Sequence, residues 1–220
     1  MVQIKIESNI LGANEILARK NRNIFTEKKV LLVNLMSSPG SGKTSILEKT
    51  IELLNGQLNL GVIEGDLYTD QDAQRIEKKG VRVIQINTEG TCHLDAGMVG
   101  KTFVHLPVDK MDLVFIENVG NLVCPAEFDL GEDFKVVVIS TAEGNDKPLK
   151  YPLIFREAKA VLVNKIDLLP YTDFSLEKIK EDISKINPSA KIFMVSGRTG
   201  QGINKWNQWL LEEVKRKKSI

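Results

Sequence analysis

Eight residues, Ser37-Ser38-Pro39-Gly40-Ser41-Gly42-Lys43-Thr44, have the composition and spacing of a phosphate cradle. They follow the apolar run Val30–Met36, so a strand leads into the loop. Gly40 and Gly42 let the backbone curl until several N–H groups face one phosphate. Lys43 then reaches the β- and γ-phosphates, and the Thr44 hydroxyl binds Mg2+. Ser38, Pro39, Ser41 and Ser45 complete the loop and the first turn of a helix whose positive end adds to the field. Ser37 stands where the usual pattern has its first glycine.

A second group selects the base. Asn164-Lys165-Ile166-Asp167 ends the predicted strand Ala160–Asn164. The Asp167 carboxylate can accept from N1 and N2 of guanine, a donor pair that adenine lacks, so the expected ligand is GTP. Asn164 and the stem of Lys165 brace the loop and cover the base. Ser196 and Gly197 follow the last strand, where a backbone N–H to guanine O6 is usual in such proteins; an ordinary strand-to-helix turn is the alternative. Lys147 encloses the guanine or a dimer interface, or is a surface-loop lysine.

A third group concerns hydrolysis. Glu117-Asn118-Val119-Gly120 stands where many GTPases carry Asp-x-x-Gly. Glu117 can hold Mg2+ through a water, and the Gly120 N–H can sense the γ-phosphate. Asn121 follows in place of a water-orienting glutamine, so slow intrinsic hydrolysis is expected. Asp66 is the candidate for positioning the attacking water or the Mg2+ shell. Asp70 and Asp72 are its nearby rivals, and Asp72 reads as a helix N-cap.

The two cysteines of the chain form a fourth group. Thr91-Cys92-His93-Leu94-Asp95 offers a thiolate, an imidazole and a carboxylate, and Cys124 offers another thiolate on the loop after Glu117. Tetrahedral zinc wants four ligands, so two chains related by a two-fold axis, giving four thiolates and two imidazoles, favour a shared site. Nickel and zinc both suit these donors. His105 reads as structural.

These loops need a scaffold that brings strand ends together. Seven apolar runs read as strands: Val30–Met36, Leu58–Glu64, Val81–Asn87, Met111–Glu117, Phe134–Thr141, Ala160–Asn164 and Lys191–Val195. Helical stretches near Lys43–Leu54, Asp70–Lys79, Leu94–Thr102, Leu176–Ile186 and Ile203–Arg216 alternate with them. A further helix over about 8–26 is expected to start at a Ser8 cap, with Ile10, Leu11, Ala13, Ile16 and Leu17 as its apolar stripe. The alternation predicts an α/β fold, a three-layer α/β/α P-loop NTPase with a mainly parallel, doubly wound sheet. At 220 residues one domain over 1–220 is expected. A net charge of +1 gives no electrostatic case for nucleic acid. The basic tail Lys215-Arg216-Lys217-Lys218 reads as a solvated helix end. No secretory signal is read in Met1 to Asn14, and no run approaches the roughly 20 apolar residues of a membrane span. Two cysteines in a chain of this size make no disulfide framework, so a reducing cytoplasm is expected.

With these residues in place, the chain resembles the HypB family, GTPases that help insert nickel into [NiFe]-hydrogenase. The resemblance covers nearly the whole chain. It is carried by S-S-P-G-S-G-K-T from Ser37, I-E-G-D from Ile63, C-H-L-D-A from Cys92, E-N-V-G-N-L-V-C-P from Glu117, T-E-G-N-D-K-P-L-K-Y-P from Thr141 and N-K-I-D from Asn164. It implies a SIMIBI-class GTPase that forms a homodimer on binding GTP, with nickel or zinc held at the interface by Cys92, His93 and Cys124. It also implies two partners, a HypA-like nickel chaperone and the [NiFe]-hydrogenase large-subunit precursor. Some relatives carry a cysteine-rich or histidine-rich N-terminal nickel motif, absent here, and Thr91 replaces the glycine common before the Cys-His pair. An extra lysine early in the phosphate loop, used by some dimerising ATPases, is also absent. Two alternatives stand beside this reading. A urease-type nickel accessory GTPase carries Cys-Pro-His, whereas Cys92 and His93 are adjacent. A regulatory GTP switch would have merely structural cysteines. A nucleoside or metabolite kinase is disfavoured by N-K-I-D and the lack of an acceptor lid.

Overall fold

The computed structural model describes residues 6–219. Seven strands form one sheet: β1 (Leu31–Ser37), β2 (Leu60–Asp66), β3 (Arg82–Asn87), β4 (Leu113–Gly120), β5 (Phe134–Ser140), β6 (Ala158–Asn164) and β7 (Lys191–Met194). Their order is β3-β2-β4-β1-β5-β6-β7, and every pairing is parallel. The central strands are apolar throughout because helices cover both faces. One face packs on α2 (Lys43–Leu54) and α9 (Ile203–Ser219), through residues such as Leu35, Phe115, Ile51 and Trp206. The other face packs, on either side of β1, against α1 (Ile6–Glu27) and α4 (Ala96–Thr102), and against α7 (Pro152–Glu157) and α8 (Leu176–Ile186). A seventh helix, α3 (Gln71–Glu77), connects β2 to β3.

All seven expected strands are present, with shifted ends. The shift matters at β2 and β4, which run on through Asp66 and Gly120. Asp66, expected after the second strand, is therefore held by the sheet ladder. Chain order reverses at β1, which places its loop at the switch point where open α/β sheets bind ligands.

The expected apolar stripe of α1 is corrected. Ser8 lies within the helix, and the side chains of Ser8 and Ile10 fall outside the described ones. Ala13, Ile16 and Leu17 are exposed, Ile16 at 59%, whereas Asn14, Ala18, Asn21 and Phe25 are buried. Hydrogen bonds explain the inversion. Asn14 Nδ2 donates to the Asp129 carbonyl at 2.8 Å, and its Oδ1 accepts from the Ala96 N–H at 2.8 Å. Asn21 Nδ2 donates to the carbonyls of Ala96 and Leu130 at 2.8 and 2.9 Å. Arg22 makes a two-pronged contact with Asp129 at 2.7 Å. These amides pay their own desolvation, so a polar face can turn inward. Among the described residues no helix is long and apolar enough to cross a membrane.

Replacing Asn21 by Ala removes hydrogen bonds from two buried carbonyls, those of Ala96 and Leu130. The expected loss is about 1–3 kcal/mol of unfolding free energy, read as a lower urea midpoint at unchanged slope. A substitution of exposed Ile16 by Ala is expected to leave the midpoint nearly unchanged.

Candidate functional site

The phosphate loop is wound as its glycines require. Gly40 and Gly42 have φ of 73° and 94°. A Cβ at Gly42 would lie 2.4 Å from Asn164 Nδ2, so this position has no room for a side chain. That closeness is functional: Asn164 Nδ2 donates to the Ser41 carbonyl at 2.7 Å, and Lys165 Nζ donates to the Gly40 carbonyl at 2.7 Å. The expected bracing of the loop is thus present. Asp167 Oδ1 accepts from the Ser196 hydroxyl at 2.6 Å, which fixes the carboxylate beside the loop. The amides expected to serve a base are spent within the chain. Ser196 N–H donates to the Gln201 carbonyl and Gly197 N–H to Asn164 Oδ1, both at 2.9 Å, within the strand-to-helix turn. The Gly197 backbone also sits directly against Ser45. Lys147 Nζ is held by the Glu143 carbonyl and Asp146, at 2.8 and 2.7 Å.

Lys43 is buried and donates to the Ser37 hydroxyl at 2.8 Å, so the serine in the glycine's place parks the lysine. Burial pushes its ammonium below its usual range, against the pull of Glu117. Ser38 donates to Glu143, a contact not legible from sequence. Thr44 Oγ1 donates to Glu117 Oε1 at 2.7 Å. Burial raises the Glu117 carboxyl. Gly120 ends the strand beneath the loop, where a Cβ would be 3.0 Å from Pro39 Cα. A side chain there would press on the Pro39 backbone, so Gly120 packs closely against the phosphate loop.

The structure fixes the surroundings of three acidic residues and changes the reading of Asp72. The Asp66 carboxylate accepts from the N–H groups of Tyr68 and Thr69 at 2.9 and 3.1 Å and so caps a turn. Asp72 is not the N-cap of α3; Asp70 holds that position, and Asp72 lies in the first turn, paired to Arg75 at 2.9 Å. The carboxylate in register with Glu117 is Glu64 on β2, which the sequence reading passed over. Glu64 is 2% exposed, and burial followed by the Glu117 charge raises it to about 8. Its signal was an acid in the strand of an otherwise apolar run.

The metal-ligand cluster lies on the other side. Cys92 Sγ is 3.0 Å from Cys124 Sγ and 3.8 Å from His93 Nδ1, and all three donors lie within 4.8 Å of one another. Cys92 and His93 sit on the loop after β3; Cys124 opens the short helix α5 (Cys124–Glu127). The His93 ring stacks on Phe128 at 3.9 Å, and burial lowers its pKa against the opposing pull of Asp95 and Glu127, which favours the neutral form that a metal ligand needs. The adjacent Cys92 thiol pushes the Cys124 thiol up. Asp95 is not a fourth ligand, since its carboxylate caps α4 by accepting from Met98 N–H at 2.7 Å. One chain therefore supplies three soft donors. Exposed His105 lies outside this cluster.

The model of the CobW/HypB/UreG nucleotide-binding domain matches residues 31–194. The hydrogenase maturation factor HypB of Azotobacter chroococcum is 51% identical over 207 residues, covering 94% of this chain and 68% of that protein. The chain belongs to the HypB family. Crystal structures of HypB from Helicobacter pylori, in complex with nickel, and from Archaeoglobus fulgidus are 39% and 40% identical, with TM-scores of 0.88 and 0.86. Both alignments cover 93% of this chain, with 96% and 100% of those chains. The signal recognition particle receptor FtsY of Elizabethkingia anophelis shares the fold at TM-score 0.56 and 16% identity, covering 82% of this chain and 65% of its own. These neighbours agree with a P-loop α/β fold of the SIMIBI class and with a HypB-type assignment over the urease-type alternative.

Two sheet strands join the sites. Side chains alternate along a strand. Glu117 faces Thr44, and Asn118 faces the opposite side, where its Oδ1 accepts from the Leu94 N–H at 3.2 Å. On β2, Glu64 is followed by Gly65, where a Cβ would lie 2.8 Å from Leu94. Leu94 is two residues after Cys92. Asn118 also donates to Asn34, and Asn34 to Glu132, both at 3.3 Å.

The Glu64 carboxyl sets a pH dependence. It is protonated in the folded apo protein up to about pH 8 but ionises near 4.5 when unfolded. The folded state then binds the extra proton, so this group's contribution to stability falls as pH rises between those values. Glu64→Gln removes that term. The denaturant midpoint of the variant relative to wild type is expected to climb steadily from pH 5 to pH 8.

Proposed function

We propose that this chain is a GTP-hydrolysing metallochaperone that holds nickel or zinc on Cys92, His93 and Cys124 and assists nickel insertion into [NiFe]-hydrogenase. The observation that carries the proposal is the pairing of two sites through one strand. Glu117 bonds to the phosphate-loop Thr44, and Asn118 bonds to the metal loop at Leu94. The chain acts as one P-loop GTPase domain in the cytoplasm.

The residues divide the work. The loop from Ser38 to Ser45 wraps the phosphates, Lys43 leaves Ser37 to meet the γ-phosphate, and Asp167 reads guanine. Thr44, Glu117 and Asp66 form the magnesium group; the Glu117 oxygen with no partner is buried beside Thr44 and fits a hard cation. Bound Mg2+ would neutralise charge on the transferring phosphate. Gly120 senses that phosphate, and with Asn121 next to it hydrolysis is slow. GTP favours the homodimer, in which a second chain completes the metal coordination, and Lys147 contributes to the base pocket or the interface. GDP loosens both, and nickel passes between a HypA-like chaperone and the hydrogenase large-subunit precursor.

Three measurements test this. Wild type is expected to bind GTP far more tightly than ATP, and Asp167→Asn to shift preference towards xanthine nucleotides, whose acceptor replaces the guanine N2 donor. Equal ATP and GTP affinity would remove the guanine assignment. Lys43→Ala is expected to abolish turnover. Asp66→Ala is expected to bind GTP but hydrolyse it poorly; normal turnover would move the role to Asp72 or Glu117. Nickel affinity, measured by competition, is expected to differ between GTP-analogue and GDP states, and metal must shift the GTP preference by the same factor. Identical nickel affinities in the two states would refute the coupling. Cys92→Ala and Cys124→Ala are expected to lose nickel binding, which separates this reading from a GTP switch with structural cysteines.

A further inference from the structure

Glu64 is a buried acid that the mechanism above leaves unused. It lies mid-sheet on β2, in register with Glu117, so both side chains leave the sheet on the α2 face. Both are almost wholly buried, at 2% and 3% exposure, and each has an Oε2 atom without any hydrogen-bond partner. Such atoms are rare and costly in a folded core. The charges around Glu64 are Glu117, Asp66 and Asp72, and the cation that faces it is Lys43. Lys43 donates to Ser37, and Glu117 Oε1 is taken by Thr44. Arg75, the nearest other cation on α3, is committed to Asp72 and Glu48. The described residues thus supply no partner for either oxygen. Two adjacent buried carboxylates beside a phosphate loop fit a divalent cation, which accepts oxygen ligands directly or through water.

From this geometry we infer that Glu64 is a positioning residue of the magnesium–nucleotide centre, accepting a hydrogen bond from a water of the Mg2+ shell beside Glu117. The inference rests on the phosphate-loop reading and adds Glu64 to the group of Thr44, Glu117 and Asp66. Glu64 touches the metal's water and not the reacting atoms. Its effect is to orient the ion that Thr44 and Glu117 hold. Outer partners of this kind typically carry roughly ten- to hundredfold in metal affinity.

The test uses the full chain with Mn2+ as a paramagnetic probe and a non-hydrolysable triphosphate analogue of whichever nucleoside the wild type prefers. An error in the guanine assignment therefore leaves the test standing. Mn2+ affinity of the nucleotide complex is read by electron paramagnetic resonance, and analogue affinity is read separately in excess chelator. Glu64→Gln is expected to weaken Mn2+ binding about tenfold or more while analogue affinity in chelator stays at or above wild type. Glu64→Asp, which keeps the charge on a shorter arm, is expected to fall between and to change the Mn2+ line shape. Unchanged Mn2+ affinity in both variants overturns the inference. So does a parallel loss of analogue affinity with and without metal, which would mark Glu64 as a structural support of the loop.

Discussion

The alternation of side chains along β4 is the constraint on which both sites depend. A strand turns consecutive residues to opposite faces, so Glu117 and Asn118 cannot share a neighbourhood. The first reaches the phosphate loop on the α2 side, and the second reaches the backbone of the metal loop on the α4 side. A one-residue slip of β4 would exchange them and destroy both contacts. The parallel ladders to β1 and β2 on either side hold that register.

Polar groups inside the sheet carry specificity at a cost that hydrogen bonds offset. A buried chain of contacts runs from the Leu94 N–H through Asn118 and Asn34 to Glu132, which accepts from the Leu130 N–H at 2.6 Å. Its two ends are the loops that present Cys92 and Cys124. Asn14 and Asn21 on α1 tie the same two loops together from outside the sheet, through Ala96, Asp129 and Leu130. The thiols approach each other because their loops are anchored twice, once by the sheet and once by a helix. Burial of these amides would be expensive without partners, and nearly every one has them.

The base end follows a different logic. Asn164 spends both ends of its amide, donating to Ser41 and accepting from Gly197, and so clamps the phosphate loop to the last strand–helix turn. Lys165 adopts a left-handed φ of 61° to reach Gly40. The phosphate loop and the Asn164–Asp167 segment are therefore braced as one unit, built from β1 and β6 with β5 between them.

Local chemistry was legible in the chain without coordinates. The glycine spacing of the phosphate loop, the guanine motif, the Cys-His pair and seven apolar runs each follow from residue type and short-range order. Those are properties of neighbouring residues, and sequence preserves neighbourhood. What lay further apart only the tertiary structure decided. It placed Cys124 against Cys92 across 32 positions and Thr44 against Glu117 across 73. It turned Asn14 and Asn21 inward and left Ile16 outside, because their partners are backbone groups more than 70 residues away. It gave Asp66 and Asp95 to turn and helix caps, and it set Glu64 beside Glu117, since strand extension and register are fixed by the whole sheet and not by any one run.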